Sequence, residues 1–369
     1  MESGKHRAPL RIAVAGAGAI GRRHIELVRA SSACDLAAIV DPSPAAARYA
    51  EYAGVPHYRS LKDLFAASLP DGVILATPNQ LHVENALECI RAEVAALVEK
   101  PVAHSVEEGA RLCAAADAAQ AKILVGHHRA HSPILAKARQ IIRQGILGRP
   151  VAVMGSAMFY KPDAYFDEAP WRRQPGAGPI LINLIHEIGN LRSLCGEINA
   201  VQALSSSATR GFAVEDTVAL TLRFASGALG TFLLSDTAAC ARSWEQTSQE
   251  NTEYASYPDE DCYVIVGSKG SLAIPTMRLR TYPDYEDRSW FKPFDTQIEE
   301  VRREDPLARQ LEHFCAVIRG EAQALVTVHD GLQNLRIVEA IATAARTGRT
   351  VMTGQAGPAA SCGAQLLTD

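Results

Sequence analysis

No apolar run in this chain approaches the ~20 residues that crossing a bilayer requires. Its opening segment, MESGKHRAPL, lacks the apolar stretch of roughly 7–15 residues that marks a secretory leader. Neither sign of charge dominates: 37 Lys and Arg face 41 Asp and Glu, leaving a net charge of −4. No stretch concentrates Lys and Arg into a surface for nucleic acid or anionic lipid. There is no C-x-x-C pair among the eight cysteines: Cys34, Cys89, Cys113, Cys195, Cys240, Cys262, Cys315 and Cys362 are scattered, mostly within apolar segments. They read as reduced core thiols, with neither a disulfide framework nor a visible zinc site. Together these absences predict a cytoplasmic protein with no membrane, nucleic-acid or metal partner.

What is present is ordinary for a globular protein, 47% apolar and 21% charged over 369 residues, enough for roughly two domains of about 150 residues each. The first third alternates short apolar runs with longer amphipathic ones. Strands are expected at 10–16, 35–40, 72–77, 94–99 and 122–126, and helices at 19–30, 43–53, 79–92 and 105–120. Continuous Val, Ile, Leu and Ala runs mark strands buried on both faces, so the repetition predicts a doubly wound α/β domain closing near Gly126. After about residue 150 the texture becomes β-rich, with strands expected at 149–159, 198–208, 215–225, 228–236, 262–267 and 270–274. Helices there are few, mainly 132–144, 179–195, 306–319 and 330–346. That pattern predicts an α+β domain with a large open, mostly antiparallel sheet and helices on one face. The expected division is 1–127, 128–355 and a poorly ordered tail at 356–369. The polar stretch 238–260 reads either as a solvated excursion or as a loop over a site.

The first strand runs into Gly16-Ala17-Gly18-Ala19-Ile20-Gly21, a G-x-G-x-x-G fingerprint at a strand-to-helix turn. Gly16 permits the turn, Gly18 admits a pyrophosphate to the backbone, and Gly21 lets helix and strand pack closely. Free N–H groups at the helix start then face the phosphates. Asp41 ends the second strand twenty residues after Gly21, where a carboxylate accepts hydrogen bonds from an adenosine ribose. The same carboxylate repels a 2′-phosphate, so NAD is expected over NADP. Thr77-Pro78-Asn79 closes a later strand at the ligand-bearing edge of the sheet; Asn79 is either a cofactor contact or a helix cap, and His82 either a contact or a helix-surface residue. The next strand ends in Glu99-Lys100-Pro101, two charges and a ring where a buried run should simply stop.

In the segment 178–196, read as one helix, Asn183, His186, Glu187 and Asn190 fall within one narrow arc, opposite Leu181, Leu184, Ile185, Ile188 and Leu191. Such a stripe is either a solvated face or a site. Here the chain resembles the glucose–fructose oxidoreductase, inositol dehydrogenase and MocA superfamily, over nearly its whole length. The resemblance rests on GAGAIG (16–21), ATPNQLH (76–82), EKP (99–101), GHHRAHSP (126–133), the helix bearing His186, QLEHFCAVIRG (310–320) and HDGLQNLRIVEAI (329–341). It implies a Rossmann domain followed by an open, largely antiparallel sheet, and a nicotinamide enzyme acting on sugars, inositols or related polyols. By resemblance Lys100 and His186 hold the reacting hydroxyl. The family's aspartate four positions before that histidine is Ile182 here, with Asn183 as a substitute hydrogen-bonding group, and the aspartate three positions after it is Gly189, beside Asn190.

Oxidising a secondary alcohol sends a hydride to the nicotinamide and needs the hydroxyl proton removed. A histidine, ordinarily near pKa ~6.5, suits base work at neutral pH, whereas a lysine starting near ~10.4 must be lowered first. The expectation is therefore His186 as main acid/base, with Lys100 as relay or electrostatic partner, Glu99 orienting Lys100 or touching the nicotinamide ribose, and the bond to Pro101 cis. Candidate substrate contacts are His127 and His128, at least one of which should face the cleft, and Tyr165, Trp171 and Arg172 from the stretch 160–178, which also offers Lys161 and Arg173. His131 reads as a helix-start residue. Competing readings on this scaffold are a dihydrodiol dehydrogenase, a C=N or C=C reductase, or a non-catalytic NAD-binding sensor. The open sheet needs its second face covered, which predicts a homodimer or homotetramer.

Overall fold

Two sheets organise the chain. The computed structural model describes residues 8–354 apart from 285 and 287; the tail expected at 356–369, with Cys362, lies outside the described residues. The first sheet is built from β1 (Leu10–Ala15), β2 (Cys34–Val40), β3 (His57–Tyr58), β4 (Gly72–Leu75), β5 (Ala95–Glu99) and β6 (Ile123–Gly126), in the order β3-β2-β1-β4-β5-β6 with every pairing parallel. Its helices are α1 (Ala19–Ala30), α2 (Pro44–Ala53), α3 (Leu61–Ala67), α4 (His82–Arg91) and α5 (Val106–Ala119). Strands β4, β5 and β6 are buried throughout, which is why their sequence is continuously apolar instead of alternating. Ser43, Ser60 and Ser105 begin α2, α3 and α5 by accepting a backbone N–H three residues on. The two-residue β3 and seven-residue α3 were not expected, since neither is long enough to develop a period. The strand order reverses between β1 and β4, and beyond the carboxyl ends of such a pair lies the crevice where α/β sheets bind ligands.

The second part opens with α6 (Pro133–Arg143), β7 (Pro150–Met158) and α7 (Asp163–Asp167), then α8 (Ile185–Cys195), β8 (Ile198–Ser206), β9 (Thr217–Phe224) and β10 (Leu229–Ser235). It continues through α9 (Trp244–Thr247), β11 (Tyr263–Gly267), β12 (Gly270–Ile274), β13 (Arg278–Thr281), β14 (Asp295–Ile298), α10 (Pro306–Arg319), α11 (Val328–Thr347) and β15 (Val351–Met352). The sheet order is β14-β13-β12-β11-β7-β10-β9-β8-β15, antiparallel except where β10 runs parallel to β7. Strand β14 carries no apolar alternation because all four of its residues are exposed, which kept it out of the sequence reading.

On β9, Val218, Leu220, Leu222 and Phe224 point inward against Ile185, Ile188 and Leu191 of α8 and Ile337 and Ile341 of α11. The opposite face leaves Leu204, Leu229, Leu233 and Met154 exposed. The last two helices return to the first sheet. Leu311, Phe314 and Cys315 of α10 pack with Ile12, Ile39, Ile74 and Leu97, while α11 places Leu332 and Leu335 beside Val98 and Val125 and its later residues in the second core. The cysteines within the described residues are free thiols, all buried except the half-buried Cys240. Among the described residues no helix is long and apolar enough to cross a membrane.

The tightest joint is between β1 and α1, where a Cβ on Gly21 would run into the carbonyl oxygen of Gly16. Gly21→Ala is therefore expected to lower stability by about 1–3 kcal/mol through overpacking and to weaken dinucleotide binding. A urea denaturation curve paired with a cofactor titration checks both effects.

Candidate active site

The turn after β1 is shaped for a pyrophosphate. Gly16 has φ +93° and its Cβ position is filled by the Ala76 carbonyl, so only glycine fits. A Cβ at Gly18 would meet nothing within 4 Å, which leaves an open face over the helix start. Helix α1 has no side-chain cap, so its first N–H groups are free for an anion. Asp41 braces this turn: Oδ2 accepts from Ala17 N at 2.9 Å and Oδ1 from Ser43 N at 2.8 Å. Burial pushes the Asp41 carboxyl up, but the bonds from Ser43 and Ala17 outweigh it and hold the group below its ordinary value. These residues fit an NAD adenosine end.

The next two strand ends are tied together. His82 is buried, with Nδ1 2.8 Å from the Pro101 carbonyl and Nε2 2.8 Å from that of Thr77. Both ring nitrogens thus face the chain, and the ring fixes the two loops against each other. Thr77 Oγ1 accepts from Asn85, and Asn79 lies in a short 3-10 turn without a side-chain cap bond. Glu99 is buried and does not orient the Lys100 ammonium: Oε1 pairs with His24 Nε2 at 2.8 Å and Oε2 accepts from the Lys100 backbone N at 3.1 Å. Burial alone would raise the Glu99 carboxyl, yet the His24 bond and charge bring it down to about 2. His24 had no sequence signal beyond its place in the fingerprint helix. The Lys100–Pro101 peptide is cis. Lys100 Nζ crosses to the second domain and donates to the Ile182 carbonyl at 3.1 Å, and burial lowers its pKa.

The helix expected over 179–195 is not uniform. Ile180–Leu184 form a π-helical turn before α8, with Ile180 N donating to Glu215. The supposed stripe divides. Asn183 and His186 face the cleft, and Asn183 Oδ1 accepts from Lys161 Nζ at 2.7 Å. Lys161 also lies 3.6 Å from Asp236 and over the Tyr165 ring, and burial lowers it to about 8. Glu187 and Asn190 are not solvated but buried: Arg129 Nη1 donates to Glu187 at 2.5 Å, Tyr263 OH bonds the other Glu187 oxygen, and Asn190 donates to Tyr263 OH at 3.0 Å. The second arm of Arg129 holds Glu245. Arg129 is the residue sequence reasoning missed. Its signal was Glu187, a carboxylate on an otherwise apolar helix that needed a cation.

His186 is 7% exposed and stands edge-on to His128 and His127, with ring centroids 5.1 and 5.9 Å away. Burial, reinforced by Lys100 and Arg129, keeps its pKa well below the ordinary value, so the imidazole is neutral at pH 7. His128 is lowered to about 3, by burial first and Arg129 second. All of this borders a cleft of about 440 Å³ between the two domains, with Ile20, Thr77, Asn79, His82 and Lys100 from the first and Asn183 and His186 from the second. The stretch 238–260 proves to be a loop over this cleft, supplying Glu245, Ser248, Glu250, Asn251 and Tyr254 to its wall. Glu250 accepts from Ser132 Oγ at 2.5 Å and from Trp244 Nε1 at 3.2 Å, and burial raises its carboxyl to about 7.

Four expected contacts lie outside this wall. His127 turns toward Asn334, 3.2 Å away. Tyr165 is covered by Arg172, whose guanidinium sits 3.7 Å above the ring, and Trp171 is 59% exposed. His131 is buried in a 3-10 turn against His313 instead of opening α6. Among the described residues no group of three or more His, Cys, Asp or Glu is arranged to hold a metal ion.

Residues 10–127 match an oxidoreductase family with an NAD-binding Rossmann fold, and residues 139–353 match the C-terminal alpha/beta domain of the same family. The chain is 26% identical to the rhizopine catabolism protein MocA of Rhizobium meliloti, over 89% of this chain and 93% of that one. It is 25% identical to an inositol 2-dehydrogenase of Rhizobium meliloti (strain 1021), over 90% and 95%. Among solved structures it is similar to the WlbA dehydrogenase from Bordetella pertussis in complex with NADH and UDP-GlcNAcA, with a TM-score of 0.74 and 25% identity, covering 94% of this chain and 99% of that one.

The buried guanidinium is the feature whose removal the fold should resist least. Arg129→Met would leave Glu187 without its cation in a dry site, and a loss of about 3–5 kcal/mol is expected in chemical denaturation. Trp171→Ala, at an exposed position, should change stability by no more than about 0.5 kcal/mol in the same assay.

Proposed function

The chain belongs to the oxidoreductase family of glucose–fructose oxidoreductase, inositol dehydrogenase and MocA, and on that premise we propose that it is an NAD-dependent dehydrogenase of a sugar, inositol or related polyol, interconverting a secondary alcohol and its ketone. The observation that carries this reading is the meeting of Lys100 and His186 in one buried cleft, beside the pyrophosphate turn and at the carboxyl edge of the parallel sheet. The bound nicotinamide supplies the hydride acceptor or donor. The chain's own residues hold the substrate oxygen, exclude water and handle its proton. Burial lowers the pKa of Lys100 and keeps His186 neutral, and these two groups hold and move the proton of the substrate oxygen.

The wall of the cleft favours substrates without negative charge. Its cations are Lys100 and Arg129, and Arg129 is already committed to Glu187 and Glu245. Glu250 adds a carboxyl that burial raises to about 7. A phosphorylated or carboxylated sugar would meet these carboxylates without a free guanidinium to receive it. Hydroxyl groups are suited by the neutral imidazoles and amides instead. Asp41 supports NAD over NADP, because a carboxylate beside the pyrophosphate turn would repel a 2′-phosphate. The exposed Leu204, Leu229 and Leu233 on the outer face of the second sheet support pairing with further copies, as a homodimer or homotetramer. The absence of a spanning helix among the described residues is compatible with a cytoplasmic enzyme.

A screen of inositols, aldoses and amino polyols with NAD, followed by NADH absorbance, tests the reading. NAD binding without turnover of any of them would turn it toward a non-catalytic sensor. Lys100→Ala and His186→Ala should each lower kcat/KM by about 10²–10⁴ while NAD affinity stays within about threefold. Asp41→Ala should shift the ratio of NAD to NADP efficiency by about tenfold toward NADP, equivalent to ~1.4 kcal/mol, in steady-state kinetics with both cofactors.

A further inference from the structure

Glu250 lines the same cleft as Lys100 and His186, yet the handling of the reacting oxygen makes no use of it. Among the described residues, four carboxyl side chains border that cleft, and three of them are bonded to a basic group. Glu99 meets His24 at 2.8 Å, Asp305 meets Arg23 at 2.8 Å, and Glu245 meets Arg129. Glu250 is buried and has neutral partners only: Ser132 Oγ at 2.5 Å and Trp244 Nε1 at 3.2 Å.

Both partners are donors. The indole N–H can only donate. The Ser132 oxygen already accepts from Ile134 N and Leu135 N at the start of α6, at 3.1 and 3.3 Å, so its hydrogen is left for Glu250. Each Glu250 oxygen is therefore an acceptor, the pattern that favours an ionised carboxylate. The backbone holds the group in place. Helix α9 ends at Thr247, and Gln249 then takes φ +59°, a left-handed conformation uncommon for a residue with a side chain. That turn leaves Gln249 exposed and Glu250 buried.

No guanidinium is free to complete the pair. Arg129 and Arg303 act on Glu250 from a distance, but Arg129 is bonded to Glu187 and Glu245, and Arg303 to the carbonyls of Ser248 and Pro275 at 2.8 and 3.2 Å. Burial opposes the charge and is the larger effect, raising the carboxyl to about 7. A buried anion with donors but no counter-ion is an incomplete pair. Each of its oxygens keeps a lone pair for a further donor. A hydroxyl placed there leaves the charge standing, whereas an ammonium both donates and neutralises.

We propose that Glu250 is a specificity-determining residue of the cleft and receives a protonated amine carried by the substrate, on a carbon other than the one oxidised. This rests on the reading of the cleft as a polyol dehydrogenase site and narrows it to amino polyols. The ammonium–carboxylate pair takes no part in the hydride step; it selects the substrate and fixes its orientation. Ser132 and Trp244 are positioning residues, acting through Glu250.

Three pairs of probes, matched except for one amine in place of one hydroxyl, test this: serinol against glycerol, glucamine against sorbitol, and an amino-deoxyinositol against its parent inositol. Trp244 is buried beside Glu250, while Trp171 and Trp290 are 59% and 89% exposed. In a chain carrying Trp171→Phe and Trp290→Phe, the remaining indole fluorescence therefore reports on this carboxylate. With NAD bound, at least one amine should bind about tenfold or more tightly than its hydroxyl counterpart. Glu250→Gln should remove that preference while changing the hydroxyl probe's affinity by less than about threefold. A purely structural Glu250 would alter the Trp244 signal and leave the ratio untouched. Should Glu250→Gln fold poorly, the wild type carries the same test. Ionisation of a carboxyl near 7 should raise the amine's affinity several-fold from about pH 6 to about pH 8, with the hydroxyl probe level. Equal affinity within all three pairs, or a preference that survives Glu250→Gln, overturns the proposal. An amine preference without turnover of any probe would uphold the role of Glu250 and overturn the dehydrogenase reading; turnover of the hydroxyl probes without an amine preference would do the reverse.

Discussion

One buried guanidinium holds the cleft in shape. Arg129 leaves the first sheet just after β6 and meets Glu187 of α8, Glu245 of the 238–260 loop and, through Glu187, Tyr263 of β11. Removing a cation from water costs several kcal/mol unless its partners are all in place. The ion is therefore satisfied only when three elements far apart in sequence have converged on the end of the Rossmann sheet. His186 precedes Glu187 by one residue, so the bond that anchors α8 also sets where the candidate catalytic ring stands. The same ion brings down the loop carrying Glu250 and Tyr254. Lys100 adds the second tie between the domains, from β5 to the π-helical turn that begins the site helix.

Local features were legible in the sequence and paired features were not. The G-x-G-x-x-G turn, the carboxylate of Asp41 and the awkward ending Glu99-Lys100-Pro101 each carry their meaning within a few residues, and the structure brings their surroundings into one cleft. The long apolar strands of both sheets could be read because burial leaves a period. Strand β14 could not, having no buried residue at all. The polar stripe on the site helix was read as one face because 100° per residue was assumed throughout. The π-helical turn holds Asn183 alone of the four, and a buried arginine takes Glu187, so Asn183 and His186 line the cleft while Glu187 and Asn190 bond inside the core. Nothing in sequence spacing links Arg129 to Glu245, 116 residues away, or His24 to Glu99, 75 residues away.

The cleft also explains how several histidines can lie together without repelling one another. His127, His128 and His186 gather beside Lys100 and Arg129, and burial pushes all three imidazoles below their ordinary range. Burial is the larger cause and the neighbouring Arg129 and Lys100 add to it, so the rings remain neutral and each offers one donor and one acceptor. The side-chain amide of Asn183, restrained by Lys161, sits in the same wall. A surface of neutral donors and acceptors supports the proposed polyol substrate, since each hydroxyl can give one hydrogen bond and receive others. Guanidinium-rich sites match phosphate or carboxylate instead. With Arg129 already held by Glu187 and Glu245, this cleft offers Lys100, neutral imidazoles and a side-chain amide to whatever enters it.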